Sequence, residues 1–424
     1  MNQATSMQSG KATRPNFFDP RWNRFQAAGP ERFVAGMRNA PRDLSDAIMS
    51  NPILQFGTSR FLQAHVDYFV TEAARRDPSK ALGKITVVQT TSSADSRART
   101  EALRATGHYP VRIRGRRHDE TVDMTVDCDS ISEALHANDD WPLLLQRMER
   151  DVKVIVSNTA DAGYALFDED TADLLDGRRT PRGFAAKLAV LLHARFRAGA
   201  EPITLLPCEL ISRNGDTLRD LVCGVARGWN LDDAFIQYLT NDCVWVNSLV
   251  DRIVSEPILP VGAIAEPYAL WAIERQPRMV LPCEHEDIVV TDDLAHYERL
   301  KLLLLNAGHT MLAELWRTRG AAPDMTVLDA MRDPAFRDPL EAVWRDEILP
   351  VFTALGQHDV ATEYVASVRD RFENPFLVHR LADIARNHEE KKVRRFQPIL
   401  DLADELKLDI DQKRLRDALK TKAS

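Results

Sequence analysis

Pro52-Ile53-Leu54-Gln55-Phe56-Gly57-Thr58-Ser59-Arg60-Phe61 sets a short apolar run against a glycine, after which residues 61–74 carry apolar side chains at helical spacing. The reading is strand, tight turn, helix. The alternation recurs downstream: 85–89, 152–156 and 203–206 read as strands, with a helical stretch over 183–198 before the last. Strands alternating with helices make a largely parallel, doubly wound sheet. A glycine turn that leads from a strand into a helix N-terminus presents backbone N–H groups to a pyrophosphate. Phe56, Gly57, Thr58, Ser59, Arg60 and Phe61 are therefore candidate cofactor contacts. Ser59 stands where a second glycine is usual. Its hydroxyl can donate to a phosphate while its side chain holds the backbone further away, and an ordinary strand–helix turn accounts for the same residues. Asn158 and Thr159, in the turn after the third strand, would lie beneath a ribose in such a fold, and they also fit as caps of the next helix.

From about residue 290 the pattern changes. Stretches 297–316, 338–354, 358–372 and 400–420 read as helices with little strand signal between them. The expected organisation is an irregular N-terminal arm over 1–48, a Rossmann-type nucleotide-binding domain over 49–289 and a helical substrate domain over 290–424. Pro15, Pro20, Pro30 and Pro41 interrupt the arm, which has room for one short helix at 30–37.

Lys301-Leu-Leu-Leu-Leu-Asn306-Ala-Gly-His309 places a cation, an amide and an imidazole around an apolar run. On an α-helix, at ~100° per residue, the three fall within an arc of roughly 140°. A buried ammonium gives up its proton more readily, an amide steadies a developing alkoxide, and an imidazole orients a hydroxyl. That set suits alcohol–ketone interconversion. An amphipathic helix with a snorkelling lysine and a core histidine satisfies the spacing equally well.

The chain has 424 residues, 44% hydrophobic and 28% charged, enough for two domains with their own cores. A formal net charge of −8 gives no footprint for nucleic acid, and the basic run Lys391-Lys-Val-Arg-Arg395 reads as a solvated helix face or an anion contact. No apolar run approaches the ~20 residues of a membrane helix, so no membrane partner and a cytoplasmic location are expected. Five scattered cysteines without CxxC spacing read as reduced thiols. Cys283-Glu-His-Glu-Asp287 alternates its donors across the two faces of an extended strand, with no second His/Cys group at standard spacing, and no metal site is expected there.

Lys301-x4-Asn306-x2-His309, directly after Thr291-Asp-Asp-Leu-Ala-His-Tyr-Glu-Arg299, resembles the signature of the mannitol dehydrogenase family of long-chain dehydrogenases. Further segments follow the family's order: Phe56-Gly-Thr-Ser-Arg-Phe61, Ser157-Asn-Thr-Ala-Asp161, Pro207-Cys-Glu-Leu-Ile211 with Asn214-Gly215, Asn247-Ser-Leu-Val-Asp-Arg-Ile253, and Arg371-Phe-Glu-Asn-Pro375. The resemblance implies a metal-free enzyme in which Lys301 is the general base for oxidation and the acid for reduction. Asn306 would donate to the reacting oxygen and His309 would hold a neighbouring hydroxyl. It favours NAD, whereas Gln89-Thr-Thr-Ser-Ser93 at the end of the second strand carries no ribose-binding acid and leaves NADP open. A further asparagine found in polyol members is matched here by Leu210, and Asn214 fits either that role or the Asn-Gly turn.

Pro207-Cys-Glu-Leu-Ile211, Ala265-Glu-Pro-Tyr-Ala-Leu-Trp-Ala-Ile-Glu274 and Leu305-Asn-Ala-Gly-His-Thr310 are most similar to the tagaturonate reductase (altronate oxidoreductase) and fructuronate reductase branch. A sugar acid requires a cation. The resemblance gives Arg371, assisted by His379, the distal end of the substrate, where a planar guanidinium suits a carboxylate; a pair with Glu373 and a core histidine are the plain alternatives. Asp251 reads as orienting Lys301 or binding a hydroxyl, or as a partner of Arg252. Two other functions fit the chain: a dehydrogenase of neutral polyols such as mannitol or arabinitol, and a non-catalytic nucleotide-binding sensor, which the Gly57-x-Ser59 turn favours and the Lys301 set opposes.

Overall fold

The computed structural model describes residues 51–91, 93–159 and 161–421. The arm over 1–48, with its helix at 30–37, lies outside the described residues. The strands are β1 (Ile53–Phe56), β2 (Ile85–Gln89), β3 (Tyr109–Arg117), β4 (Glu120–Cys128), β5 (Ile131–His136), β6 (Val154–Ser157) and β7 (Ile203–Pro207). They continue with β8 (Cys243–Trp245), β9 (Ser248–Asp251), β10 (Val254–Pro257), β11 (Ala263–Ala265), β12 (Leu270–Glu274) and β13 (Ile288–Thr291).

Six strands form one sheet in the order β5-β2-β1-β6-β7-β8, and every adjacent pair is parallel. Counted among themselves the strands run 3-2-1-4-5-6, the Rossmann order, which reverses direction between β1 and β6. Helices cover both faces, so β1, β2, β6 and β7 are buried throughout and read in sequence as unbroken apolar runs. Helix Phe184–Ala198 is buried along most of its length because it lies between helices Trp141–Arg150 and Asn214–Gly228.

The helix expected over 61–74 comes in two pieces, Arg60–Gln63 and Val66–Arg76. At the break, the Ala64 carbonyl accepts from Arg252 Nη1 at 2.6 Å and His65 Nε2 lies 3.1 Å from the Leu270 carbonyl. Tertiary partners thus take over where the helical ladder stops.

Two smaller sheets, β10-β11-β3-β4 and β13-β12-β9, were not anticipated. Along β3, buried Tyr109, Val111 and Ile113 alternate with Arg112, Arg114 and Arg116, so a charge-rich segment hides a two-residue period. These sheets matter to function because β9 ends on Asp251 and the turn between β11 and β12 carries Glu266.

From Leu294 onward the described chain is helical around its own core, which includes Leu304, Leu312, Trp344, Phe352 and Phe396. The helix read over 297–316 spans Leu294–Leu300 and Ala307–Arg319 with a π-helical turn, Lys301–Asn306, between them. The stretch read as one helix over 400–420 is instead His388–Glu405 and Lys413–Lys420. Between them Lys407 adopts a left-handed φ of 53°, and the last helix is held by buried Glu347, which accepts from the Arg414 and Leu415 amides at 3.1 and 2.9 Å. Among the described residues no helix is long and apolar enough to cross a membrane, and all five cysteines are buried and unpaired.

Candidate active site

The sheet reverses between β1 and β6, and folds of this order bind nucleotides in the crevice at the carboxyl ends of the strands beside the reversal. Gly57 follows β1 with φ +119°, and a Cβ there would lie 2.9 Å from the Asn158 carbonyl. The two turns approach so closely that only glycine fits, and the Gly57 amide donates to the Val88 carbonyl at 3.0 Å, pinning the turn to the end of β2. Ser59 accepts from the Leu62 amide at 3.3 Å and so begins the short helix, leaving its hydroxyl proton to donate elsewhere. Thr58 donates to Gln89 at 2.6 Å and its carbonyl accepts from Gln63 at 3.2 Å, tying the turn to the end of β2. Phe56 is fully buried beneath the turn, whereas Arg60 is exposed and Phe61 stacks on His65 with centroids 4.8 Å apart.

Asn158 and Thr159 bond across to the turn after β7. Asn158 donates to the Cys208 carbonyl at 2.8 Å, and the Thr159 amide and hydroxyl donate to Glu209 at 3.0 and 3.1 Å. Glu209, which the sequence reading passed over, also accepts from Ser157 and Tyr164 at 3.1 and 3.3 Å. This buried carboxylate ties the end of β6 and the turn after it to the turn after β7. Glu209 stands directly after β7, but its partners Ser157 and Thr159 lie about fifty residues away, so no local pattern announces it. Asn214 is fully engaged as a clamp: its side chain donates to the Pro207, Glu209 and Ser248 carbonyls at 2.9–3.1 Å and accepts from the Gly215 and Ser248 amides. It supplies no free amide in place of Leu210, which is 74% exposed.

A second cavity of about 300 Å³ brings Lys301, Asn306, His309, Asp251, Arg371 and His379 onto one wall system. The π turn explains how. Its wider i→i+5 spacing swings Asn306 back toward Lys301, closing much of the roughly 140° that an α-helix would put between them. Two donors secure carbonyls of the widened turn: Trp344 Nε1 to Leu304 at 3.2 Å and Arg395 Nη1 to Asn306 at 3.2 Å. Gly308 lets the helix approach the Trp344 ring, whose Cζ2 would be 2.8 Å from an added Cβ.

Lys301 Nζ donates to the Val250 carbonyl at 2.9 Å and lies 3.8 Å from Asp251 Oδ1. Asp251 faces Lys301 and Arg371, while its neighbour Arg252 turns away to the Ala64 and Glu266 carbonyls. Burial pushes the Asp251 carboxyl upward, but the charges of Arg371 and Lys301 outweigh it and hold the group below the usual carboxylate range. His309 packs on Phe372 and edge-on to His379, with centroids 4.3 and 4.9 Å apart. Burial, followed by the charges of His379, Arg371, Arg395 and Lys391, depresses the basicity of His309, and burial does the same to His379. Both imidazoles are neutral near pH 7 and suited to hydroxyl groups.

Arg371, expected to hold a substrate carboxylate, lines the cavity with its guanidinium engaged by protein carboxylates. Its Nη1 and Nη2 donate to Asp251 at 2.8 and 3.0 Å, and its Nε donates to Glu266 at 3.1 Å. The guanidinium is buried, lies over the Tyr268 ring at 4.4 Å, and is committed to two protein carboxylates. Glu373, its alternative partner in the sequence reading, turns to Arg116 at 3.8 Å. Two other cations line the same cavity from helix His388–Glu405. Lys391 donates to the Ile384 carbonyl at 2.8 Å, and Arg395 donates to Asn306 and to the Thr310 hydroxyl. Among the described residues neither forms an ion pair, and burial makes each less basic. Both belong to the basic run read earlier as a solvated face or an anion contact.

Two family models cover most of the chain: the mannitol dehydrogenase Rossmann domain matches residues 51–281 and the mannitol dehydrogenase C-terminal domain matches 293–419. The altronate oxidoreductase of Halalkalibacterium halodurans is 30% identical over 368 residues, spanning 82% of this chain and 69% of the relative. That of Bacillus subtilis is 30% identical over 376 residues, 82% of this chain and 74% of the relative. Among solved structures, a substrate-free D-sorbitol dehydrogenase superposes with a TM-score of 0.76 at 21% identity, over 88% of this chain and 79% of that one. The Pseudomonas fluorescens mannitol 2-dehydrogenase, a ternary complex with NAD and D-mannitol, gives 0.67 at 19% identity, over 89% and 80%. These two similarities extend the fold agreement across both parts of the molecule.

Proposed function

The chain belongs to the mannitol dehydrogenase family, and from that premise we propose that it is an NAD-dependent, metal-independent oxidoreductase interconverting a sugar acid, an aldonate such as altronate or mannonate, with its keto form. One observation carries the choice of a sugar acid. Lys391 and Arg395 face the cavity that holds Lys301, Asn306 and His309, and neither has a carboxylate partner among the described residues. Partly buried cations without counter-charge are costly, and an anionic substrate end relieves that cost.

The nicotinamide, when bound in the crevice beside Gly57, supplies the acceptor for the hydride leaving the carbinol carbon. Lys301 takes the hydroxyl proton on Nζ during oxidation and returns it during reduction. Asn306 donates to the oxygen as charge builds on it, and neutral His309 holds an adjacent hydroxyl. Small molecules of this kind are the substrates of the family's named members, and a cytoplasmic location fits five buried, unpaired thiols.

The commitment of Arg371 to Asp251 and Glu266 favours the alternative of a neutral polyol, because it removes one cation from substrate binding. Oxidation of altronate, mannonate, mannitol and arabinitol, each with NAD and with NADP and followed by absorbance of the reduced cofactor, separates the readings. The aldonates with NAD should give the highest kcat/KM. A preference for mannitol or arabinitol would establish the polyol reading, and no turnover of any sugar derivative would leave a nucleotide sensor.

A further inference from the structure

Glu266, which the sequence offers only as one position of the Ala265–Glu274 segment, does not line the substrate cavity, yet it is joined to the proton-transfer atom by a short run of charges. It is 3% exposed, in the turn between β11 and β12. Its Oε1 accepts from the Ile253 amide at 2.7 Å, which anchors the carboxylate to the strand segment following Asp251. Both oxygens meet Arg371: Nε reaches Oε2 at 3.1 Å and Nη2 lies 2.9 Å from Oε1. Arg371 in turn grips both oxygens of Asp251, whose Oδ1 is 3.8 Å from Lys301 Nζ. Burial raises the Glu266 carboxyl above its ordinary range while the charge of Arg371 pulls it back down; ionised across the alkaline range of the reaction, it completes an alternating path of Glu266 negative, Arg371 positive, Asp251 negative and Lys301 positive.

We propose that Glu266 is a positioning residue of the reaction: by holding and partly neutralising Arg371, it sets how strongly Asp251 retains Lys301 in its ammonium form. The inference rests on Lys301 being the general base. Asp251 alone, buried and within 4 Å, would favour the ammonium and oppose proton acceptance. Arg371 offsets Asp251, and Glu266 offsets Arg371. The remaining charges around Lys301 stay fixed in the comparison. His309 lies on the same helix and Tyr364 reaches Asp251 from helix His358–Phe372 at 3.4 Å. His379 and Asp383 line the cavity from the following segment, and Lys391 and Arg395 from helix His388–Glu405. Glu298, one turn before Lys301, is influenced instead by Arg213, Glu274 and Arg299.

Coulomb's law then fixes the direction of each change in charge. E266Q keeps the shape of the side chain but removes a negative charge and turns one of its two acceptor oxygens into a donor, so the ionisation governing aldonate oxidation should move to lower pH, by roughly half a unit to one unit. R371K keeps the charge and loses the fork, so its rate should fall with the profile in place. A purely structural role would lower the rate of E266Q at every pH without moving the profile. If E266Q does not fold because Arg371 is left half-paired, E266Q/R371M removes both partners. Its profile should move to higher pH, since the cation nearer Lys301 has gone. The decisive measurement is kcat/KM for oxidation from pH 6 to 11, with NAD affinity determined by fluorescence titration. Loss of turnover in K301A with an unmoved E266Q or E266Q/R371M profile would overturn the role of Glu266 alone. Substantial turnover in K301A would overturn the base assignment itself.

Discussion

At the scale of single residues, the sequence exposed what one helix carries and concealed what distant segments assemble. Lys301, Asn306 and His309 stand within nine positions of each other, so their spacing alone brought them toward one cleft. Arg371 was noticed for its planar fork, but its acceptors, Asp251 and Glu266, are 120 and 105 positions away, and no local pattern announces them. Lys391 and Arg395 stand in a basic run whose sequence fits a solvated face or an anion contact alike, and only the packing of their helix against the cavity separates the two. A prediction belongs here. Lys391→Met should raise KM for an aldonate by roughly 10- to 100-fold, the ~1.5–3 kcal/mol of a hydrogen bond to a charged group, while leaving a neutral polyol of the same length little affected. Both substrates must be measured on both enzymes. Equal losses would show that Lys391 does not read the carboxylate.

At the scale of elements, fully buried strands and long helices were legible because each is defined by its own apolar run or period. Helix His358–Phe372 and strand β2 match their expected limits, whereas the helix after Gly57 and the last helix are broken by partners outside the segment. The π turn at Lys301–Asn306 was hidden for a related reason: the apolar run Leu302–Leu305 is compatible with either winding, and Trp344, Arg395 and Gly308 select the wider one. Gly308 tests this. In Gly308→Ala the new methyl would meet the Trp344 ring at 2.8 Å, and neither the helix nor a fully buried indole has room to yield. Overpacking of this kind costs ~1–3 kcal/mol, and here the displacement would also shift Asn306 and His309. The unfolding midpoint should fall and kcat should drop at least tenfold, with NAD affinity nearly unchanged because Gly57 follows strand β1 of the parallel sheet and not the Ala307–Arg319 helix. A variant with normal kcat would show that the close approach to Trp344 does not position the catalytic turn.

At the scale of the whole molecule, stability depends on buried groups that the sequence reading did not register, because burial is a property of the assembled core. Asp67 is completely buried, with Oδ2 accepting from Tyr109 at 2.9 Å and Oδ1 lacking a partner, and burial raises its pKa from 3.8 to about 7. Asp287 is likewise raised by burial, to about 6. His65 and His285, in the same core, are lowered by burial from 6.5 to about 3. A carboxyl that stays protonated in the folded state contributes its full stability below pH 3.8 and loses it progressively as the pH climbs to the folded value, about 7 for Asp67. The two histidines work in the opposite direction: their contribution is complete above 6.5 and is lost as the pH falls toward 3. Between pH 4 and 6.5 the opposing slopes partly cancel, so the wild-type protein should show a shallow pH dependence there. Asp67→Asn keeps the shape and a donor for the core but cannot ionise, which removes the falling contribution and leaves the rising one. Its stability relative to wild type should therefore grow from pH 4 and level off above pH 7, with an upper bound on the order of 4 kcal/mol at roughly 1.4 kcal/mol per tenfold change in proton affinity. Urea unfolding of both proteins from pH 4 to 8.5 tests this directly. A difference that stays constant with pH would mean that Asp67 does not carry its proton into the folded state.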